Sequence, residues 1–326
     1  MGTGVQSVPS IQVVAAVLRD AQGRALIAER PAGKPLAGFW EFPGGKLETR
    51  EPAAEALRRE LQEELGIQVQ QAYRLLQLSH LYPERHVHLD VWRVTRYVGT
   101  PTAHEGQKLA WVAPKELNDW KLLPADEPIV AALKLPPLML VTPQPDENAD
   151  GFLARLERSL DAGIDFVQFR AHGLETGRFE ELARETIRLC RSHGARVHLN
   201  SSVETALKLG ADGVHFSQAR LRSPMPADIA DLALGVSCHT ADEMALALKH
   251  RPAYLTLGTV SDSSSHPGAK PLGWERFAEL ARASPVPVYA IGGLGLRDLE
   301  EARARGAHGI AAIRGLWGIP QLSEGS

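Results

Sequence analysis

Beyond Leu138 the chain repeats one alternation eight times: a short apolar run, then an amphipathic or helix-like segment. The runs are "LMLVT", "FVQFR", "RVHLN", "GVHFS", "LGVSCH", "YLTLG", "PVYAIGG" and "GIAAI". They read as strands, and segments such as "GFLARLERSLDAG", "FEELARETIRLCRSHG" and "RDLEEARARGA" read as helices between them. Eight such units predict an α/β fold, a (β/α)8 barrel of the TIM type rather than an open sheet. At about 190 residues it is compact against a typical ~250.

Up to about residue 135 the rhythm differs. "IQVVAAVL", "RALIAE" and "HVHLDVWRVTRY" read as strands, the last with clear alternation. One strong helix is predicted from Pro52 to Leu65, with Ala53, Ala56, Leu57, Leu61 and Leu65 on one side and Gly66 as its stop. A second runs from Asp126 to Leu133, which makes an α+β pattern. The two prolines of "LKLPPLMLV" cannot continue that helix, so a boundary falls there. The 326 residues therefore divide into a domain over 1–135, a linker at 136–137 and a barrel over 138–326.

Composition narrows the partners. The formal net charge of −3 provides no basic field for long nucleic acids or anionic membranes. "MGTGVQSVPS" lacks the apolar core of a signal peptide, and no apolar run is long enough to span a bilayer. Two cysteines, Cys190 and Cys238, suit a reduced chain without a disulfide framework. A cytoplasmic protein acting on small molecules is expected.

The first domain gathers unusual negative charge. Glu60, Glu63 and Glu64 stand at i, i+3 and i+4 on one helix face. Like charges so spaced destabilise an isolated helix by roughly 0.2–0.5 kcal/mol per pair, so something must offset them. A solvated acidic face is the bland alternative; oxygen-rich sets of this kind suit Mg²⁺, with Mn²⁺ the second choice. Gly44-Gly45 lets the backbone turn tightly and approach a ligand, and Arg59 can orient a carboxylate bidentately.

Gly45, five residues, Glu51, seven residues and "RELQEELGI" fill every fixed position of the Nudix box. The first domain thus resembles the Nudix hydrolases, which implies a mixed sheet between helices. "EFPGGK", Glu29-Arg30, "PERHVHLDVW", "HEGQ" and "LPADEPIVAAL" resemble the MutT branch, the 8-oxo-dGTP diphosphatases. The resemblance implies metal ligands at Glu60, Glu63, Glu64 and Glu105, with backbone oxygen from the Gly44/Gly45 turn. It implies water attack on the β-phosphorus of a nucleoside triphosphate, releasing monophosphate and pyrophosphate. Glu60 is the first choice for general base, with Arg59 orienting the cluster. Arg30, Phe42, Lys46, Arg85 and Asp126 are assigned to substrate.

Asp126 departs from the MutT pattern, which has asparagine there. An asparagine amide can meet the O6 acceptor and the N7–H donor of 8-oxoguanine together, whereas an ionised aspartate only accepts. Burial can keep a carboxyl protonated and restore the donor. Alternatively, Asp126 caps the helix that follows it. A broader nucleoside triphosphate pyrophosphohydrolase is the second functional reading.

The second domain resembles thiamine phosphate synthase and its relative TenI, through "LVT", "VQFR", "LNSS", "LGADGVHFSQ", "LGVSCHT", "YLTLGTV", "GAKPLGW" and "VYAIGGL". At the C-terminal strand ends, where a barrel's site lies, fall Arg170, Asn200, Ser237, His239, Lys270, Gly292 and Gly293. Relative to the synthase pattern, His172 stands for a lysine, Ser201 and Arg220 for two aspartates and Arg314 for a serine. Losing both carboxylates argues against Mg²⁺–pyrophosphate chemistry and hence against thiamine phosphate synthesis. Two readings remain: a TenI-like thiazole tautomerase using His239 as acid/base, or a non-catalytic ligand-binding or scaffolding module; a barrel that binds a thiazole or pyrimidine phosphate could also act as a sensor that modulates the first domain.

Overall fold

The computed structural model describes residues 9–145, 148–222, 232–262, 270–282 and 284–320. Residues 1–8 of the N-terminal stretch and 268–269 of "GAKPLGW" lie outside the described residues. The chain passes from one compact unit to another between Leu135 and Pro136.

In the first unit, β1 (Ser10–Leu18) pairs parallel with β5 (Arg85–Val98), which pairs antiparallel with β4 (Gln68–Tyr82). A second three-stranded sheet places β2 (Ala25–Glu29) between β3 (Trp40–Glu41) and β6 (Leu109–Val112). Helix α1 (Ala53–Leu65) and helix α2 (Glu127–Leu133) cover opposite faces. Period-2 alternation in β1 explains this: Val14, Ala16 and Leu18 pack with Leu57, Leu61 and Leu65 of α1, whereas Ala15 and Val17 pack with Ile129 and Val130 of α2. Each fully buried leucine of α1 stabilises the unit by roughly 1.5–3 kcal/mol. Gly66 ends α1 at φ 68°, with its N–H donating to the Gln62 carbonyl.

In the second unit, β7 (Leu138–Val141), β8 (Phe166–Phe169), β9 (Arg196–Leu199), β10 (Gly213–Phe216), β11 (Ala233–Cys238), β12 (Tyr254–Gly258), β13 (Val288–Ile291) and β14 (Gly309–Ala312) close into a parallel barrel. All eight coincide with the apolar runs. The helices between them are α3 (Ala149–Asp161), α4 (Thr176–Ser192), α5 (Val203–Leu209), α6 (Gln218–Leu221), α7 (Ala241–Leu248), α8 (Gly273–Arg282) and α9 (Leu299–Ala304). Phe166, Tyr254 and Tyr289 are fully buried, with ring centroids 5.4–6.1 Å apart. No helix among the described residues is long and apolar enough to cross a membrane.

Candidate functional site

One cavity of about 510 Å³ in the first unit gathers most of the residues singled out in the sequence. Glu60 and Glu64 enter from α1, Gly44, Gly45 and Lys46 from the turn before it, and Glu105 from the loop before β6. Arg30, Phe42, Arg85 and Asp126 line the same cavity. Arg59 and Glu63 are not among the lining residues. The Glu63 side chain is 59% exposed and accepts from Arg59 Nη1 at 3.3 Å.

The glycine pair explains how two carboxylates come so close to the backbone. A Cβ on Gly45 would lie 2.2 Å from the Glu60 carboxyl, and one on Gly44 would lie 2.1 Å from the Val14 carbonyl oxygen. Gly44 also adopts φ +147°, and its N–H donates to Glu64 Oε2 at 3.1 Å. The Gly45 carbonyl accepts the Val14 N–H at 2.9 Å.

Arg59 supplies the offset that the acidic face requires. Its Nε and Nη2 donate to both Glu51 oxygens at 2.9 and 2.8 Å, Nη1 to Glu60 at 2.9 Å, and Nη2 also to the Lys46 carbonyl at 3.1 Å. This bidentate bonding holds the Glu51 carboxyl down at about 2 and raises the Arg59 guanidinium above its usual value. Glu64 has no such partner. Burial, and after it the charges of Glu105, Glu60 and Glu41, outweigh the Gly44 N–H and push it up to about 8.

Of the two roles open to Asp126, the structure bears on the capping one. Its side chain makes no capping bond to α2; instead Oδ2 accepts the Phe42 backbone N–H at 3.3 Å. Capping is therefore not its role. It is 4% exposed, and burial, with the nearby Glu41 charge, raises its carboxyl well above the ordinary range.

The barrel carries a second cavity, of about 880 Å³. Arg170, Asn200, Ser237, His239, Gly292 and Gly293 line it, joined by His172 and Arg314; Lys270 is exposed and not among the lining residues. No carboxylate occurs among its described lining residues. Ser201 turns its hydroxyl to the Ser202 carbonyl at 3.1 Å, and the Arg220 guanidinium lies 5.9 Å from the Phe216 ring centre. Arg170 Nε is buried without a hydrogen-bond partner, and burial lowers the guanidinium from its usual value.

The NUDIX domain profile matches residues 14–132, and the thiamine monophosphate synthase profile matches residues 138–316. A CTP pyrophosphohydrolase of Escherichia coli is 43% identical over 122 residues, 37% of this chain and 90% of that protein. The chain belongs to both families. An 8-oxo-dGTP diphosphatase of Escherichia coli is 38% identical over 124 residues, 38% of this chain and 96% of its own. For a thiamine-phosphate synthase of Prochlorococcus marinus the identity is 33% over 183 residues, 54% of this chain; the chain spans 50% of that relative's length.

The Nudix cavity fits a hard divalent cation by donor chemistry. Among the described residues no three acidic, histidine or cysteine side chains lie close enough to hold an ion by themselves. Glu60, Glu64 and Glu105 nevertheless line one cavity with the Gly44 backbone, an all-oxygen donor set of the kind hard divalent cations prefer.

Several site residues escaped the sequence. Glu41 pairs with Arg30 and lines the Nudix cavity, as do Tyr82 and Lys34, which donates to Glu105 at 2.7 Å. Glu41 lies inside "EFPGGK", where the glycines and Phe42 drew the reading. In the synthase-like barrel, His215 Nε2 lies 2.7 Å from Ser237 Oγ, and its Nδ1 lies 3.1 Å from the Tyr254 hydroxyl. Tyr254 in turn meets His198 Nδ1 at 3.2 Å. The signal was a lone histidine inside each of two apolar strands, "RVHLN" and "GVHFS".

Proposed function

We propose that the Nudix domain, residues 1–135, hydrolyses 8-oxo-dGTP and related oxidised purine nucleoside triphosphates to monophosphate and pyrophosphate, cleansing the nucleotide pool and limiting mutation. The observation that carries this is one cavity holding the carboxylates of Glu60, Glu64 and Glu105 together with the Phe42–Asp126 pair. A protonated Asp126 donates to O6 and accepts from N7–H, a hydrogen that ordinary guanine lacks. Glu60, Glu63, Glu64, Glu105 and the Gly44 oxygen would hold Mg²⁺, or Mn²⁺ in its place. The ion, when bound, neutralises the polyphosphate and lowers the pKa of water. Glu60 takes the proton of the attacking water, Arg30 and Lys46 hold phosphate charge, and Arg85 closes on the nucleoside.

A second substrate reading has specific support. Cytosine offers N3 as acceptor and N4–H as donor, which also complement a protonated carboxyl; the CTP pyrophosphohydrolase relative favours it. Steady-state kcat/KM on 8-oxo-dGTP, dGTP and CTP with Mg²⁺ separates the readings. Equal values for 8-oxo-dGTP and dGTP would sink the sanitising role.

For the synthase-like barrel, residues 138–326, we propose binding of a thiazole or pyrimidine phosphate without thiamine phosphate synthesis. The buried, unpartnered Arg170 Nε and the absence of carboxylates among the described lining residues support an anionic ligand held without a metal. Thiamine phosphate formed from the two precursors in a coupled assay would refute it, and calorimetry with each precursor tests binding. We place the protein in the cytoplasm, where its two buried free thiols stay reduced.

A further inference from the structure

Lys34 reaches 71 residues along the sequence to Glu105: its Nζ donates to Glu105 Oε2 at 2.7 Å. Both residues line the Nudix cavity, together with Glu60, Glu64 and the Gly44 turn. Glu105 belongs to the oxygen set assigned to a divalent ion, so one of that ion's ligands also serves a cation of the protein itself. After Glu105, the charges of Glu64 and Glu41 act on the Lys34 ammonium as well.

Two cations cannot share Glu105 on equal terms. A divalent ion on this carboxylate would stand a few ångströms from an ammonium bonded to the same group, and like charges that close repel by more than an exposed ion pair holds. The Lys34 and Glu105 side chains are 47% and 44% exposed, so their pair is of the weak kind and gives way.

The loop that carries Lys34 keeps its shape when the pair opens. Arg30 Nε donates to the Pro35 carbonyl at 2.8 Å, the Gly38 N–H to the Arg30 carbonyl at 3.1 Å and the Lys34 N–H to the Pro31 carbonyl at 3.3 Å. None of these bonds uses the ammonium, which turns on a flexible four-carbon stem. The other acidic groups around it are engaged: Glu41 pairs with Arg30, and Glu64 accepts the Gly44 N–H. The polyphosphate of a nucleotide in this cavity is then the next acceptor for it.

We propose that Lys34 competes with the divalent ion for Glu105 and, once displaced, binds the polyphosphate of the substrate. This deepens the hydrolase reading and rests on it for the ion and the nucleotide. Opposite signs follow. Neutralising Lys34 tightens the ion and loosens the nucleotide, whereas a merely structural lysine would move both the same way or neither.

The experiment compares the full chain with its Lys34→Met, Lys34→Arg and Lys108→Met variants. Mn²⁺ titration is followed by electron paramagnetic resonance, and calorimetry at saturating Mn²⁺ uses the α,β-methylene analogues of dGTP and CTP. Lys108, paired with Glu29 and 75% exposed, controls for loss of surface charge. We expect Lys34→Met to bind Mn²⁺ about twofold to fivefold more tightly. It should bind the analogues roughly threefold to tenfold more weakly. Lys34→Arg, which keeps the charge, should stay close to wild type in both, as should Lys108→Met. In a Glu105→Gln background, Lys34→Met should no longer alter Mn²⁺ affinity. Unchanged or weaker Mn²⁺ binding in Lys34→Met overturns the proposal, as does unchanged analogue affinity or a gain that persists without the Glu105 carboxylate. A wild type that binds no Mn²⁺ refutes the ion site itself, and one that binds Mn²⁺ but neither analogue refutes the nucleotide reading. In either case the proposal falls with it.

Discussion

Asp126 Oδ2 accepts the backbone N–H of Phe42 at 3.3 Å across 84 residues of sequence. The carboxyl is buried there without a cation bonded to it, and its pKa is raised. The sign for stability is fixed: the folded state keeps this proton to higher pH than the unfolded chain, so stability falls as pH rises from about 4 through the raised folded value. Asp126→Asn removes the titration. We expect the variant to gain stability over the wild type progressively between pH 4 and 7, read by urea unfolding. Its 8-oxo-dGTP/dGTP ratio of kcat/KM should be preserved or raised, whereas Asp126→Ala should lower that ratio at least about tenfold.

Glu60→Gln should lower kcat by roughly 10²–10⁴ with little change in unfolding temperature, since the carboxyl bonds only to Arg59. Glu63→Gln should act in the same direction through ion binding, read by Mn²⁺ titration. Near-wild-type activity in that variant would remove the exposed Glu63 from the ion's ligands.

Gly45→Ala places a methyl group 2.2 Å from the Glu60 carboxyl. A side chain can swing aside, so the fold should survive, but Glu60 leaves its position. The expected outcome is a loss of kcat approaching that of Glu60→Gln, with a melting temperature close to wild type. Full activity with a lowered melting temperature would contradict this account.

The barrel should be acid-labile. His198 and His215 have folded pKa values depressed to about 3, against about 6.5 unfolded. Their unfolded forms take up protons first, so stability is present above pH 6.5 and is lost as pH falls toward 3. Each contributes a slope of up to about 1.4 kcal/mol per pH unit in that window. Urea midpoints of the barrel's transition, measured from pH 7 to 4.5, should fall steeply, and a flat profile would contradict the buried neutral pair.

The elements legible in the sequence are those with a local signature. Helix α1 announced itself through Leu57, Leu61, Leu65 and the Gly66 stop, and the barrel strands through short runs buried along their length. Strand β4 was missed because its pairing with β5 shifts register between Val69 and Ala72 and between Arg74 and Leu76. Bulges there break the period of two on which strand recognition depends.

The sequence by itself determined the placement of the acidic face, because Glu60, Glu63 and Glu64 share a helix face by spacing alone and the glycine pair precedes them. Only the tertiary structure decided that Glu63 accepts from Arg59, that Asp126 binds the Phe42 N–H instead of capping α2, and that His198, Tyr254, His215 and Ser237 join in one hydrogen-bonded chain across β9, β10, β11 and β12. These depend on hydrogen-bond partners far apart in the chain. Residue spacing encodes which side of its own helix or strand a side chain occupies; the partner it meets is set by packing and strand register.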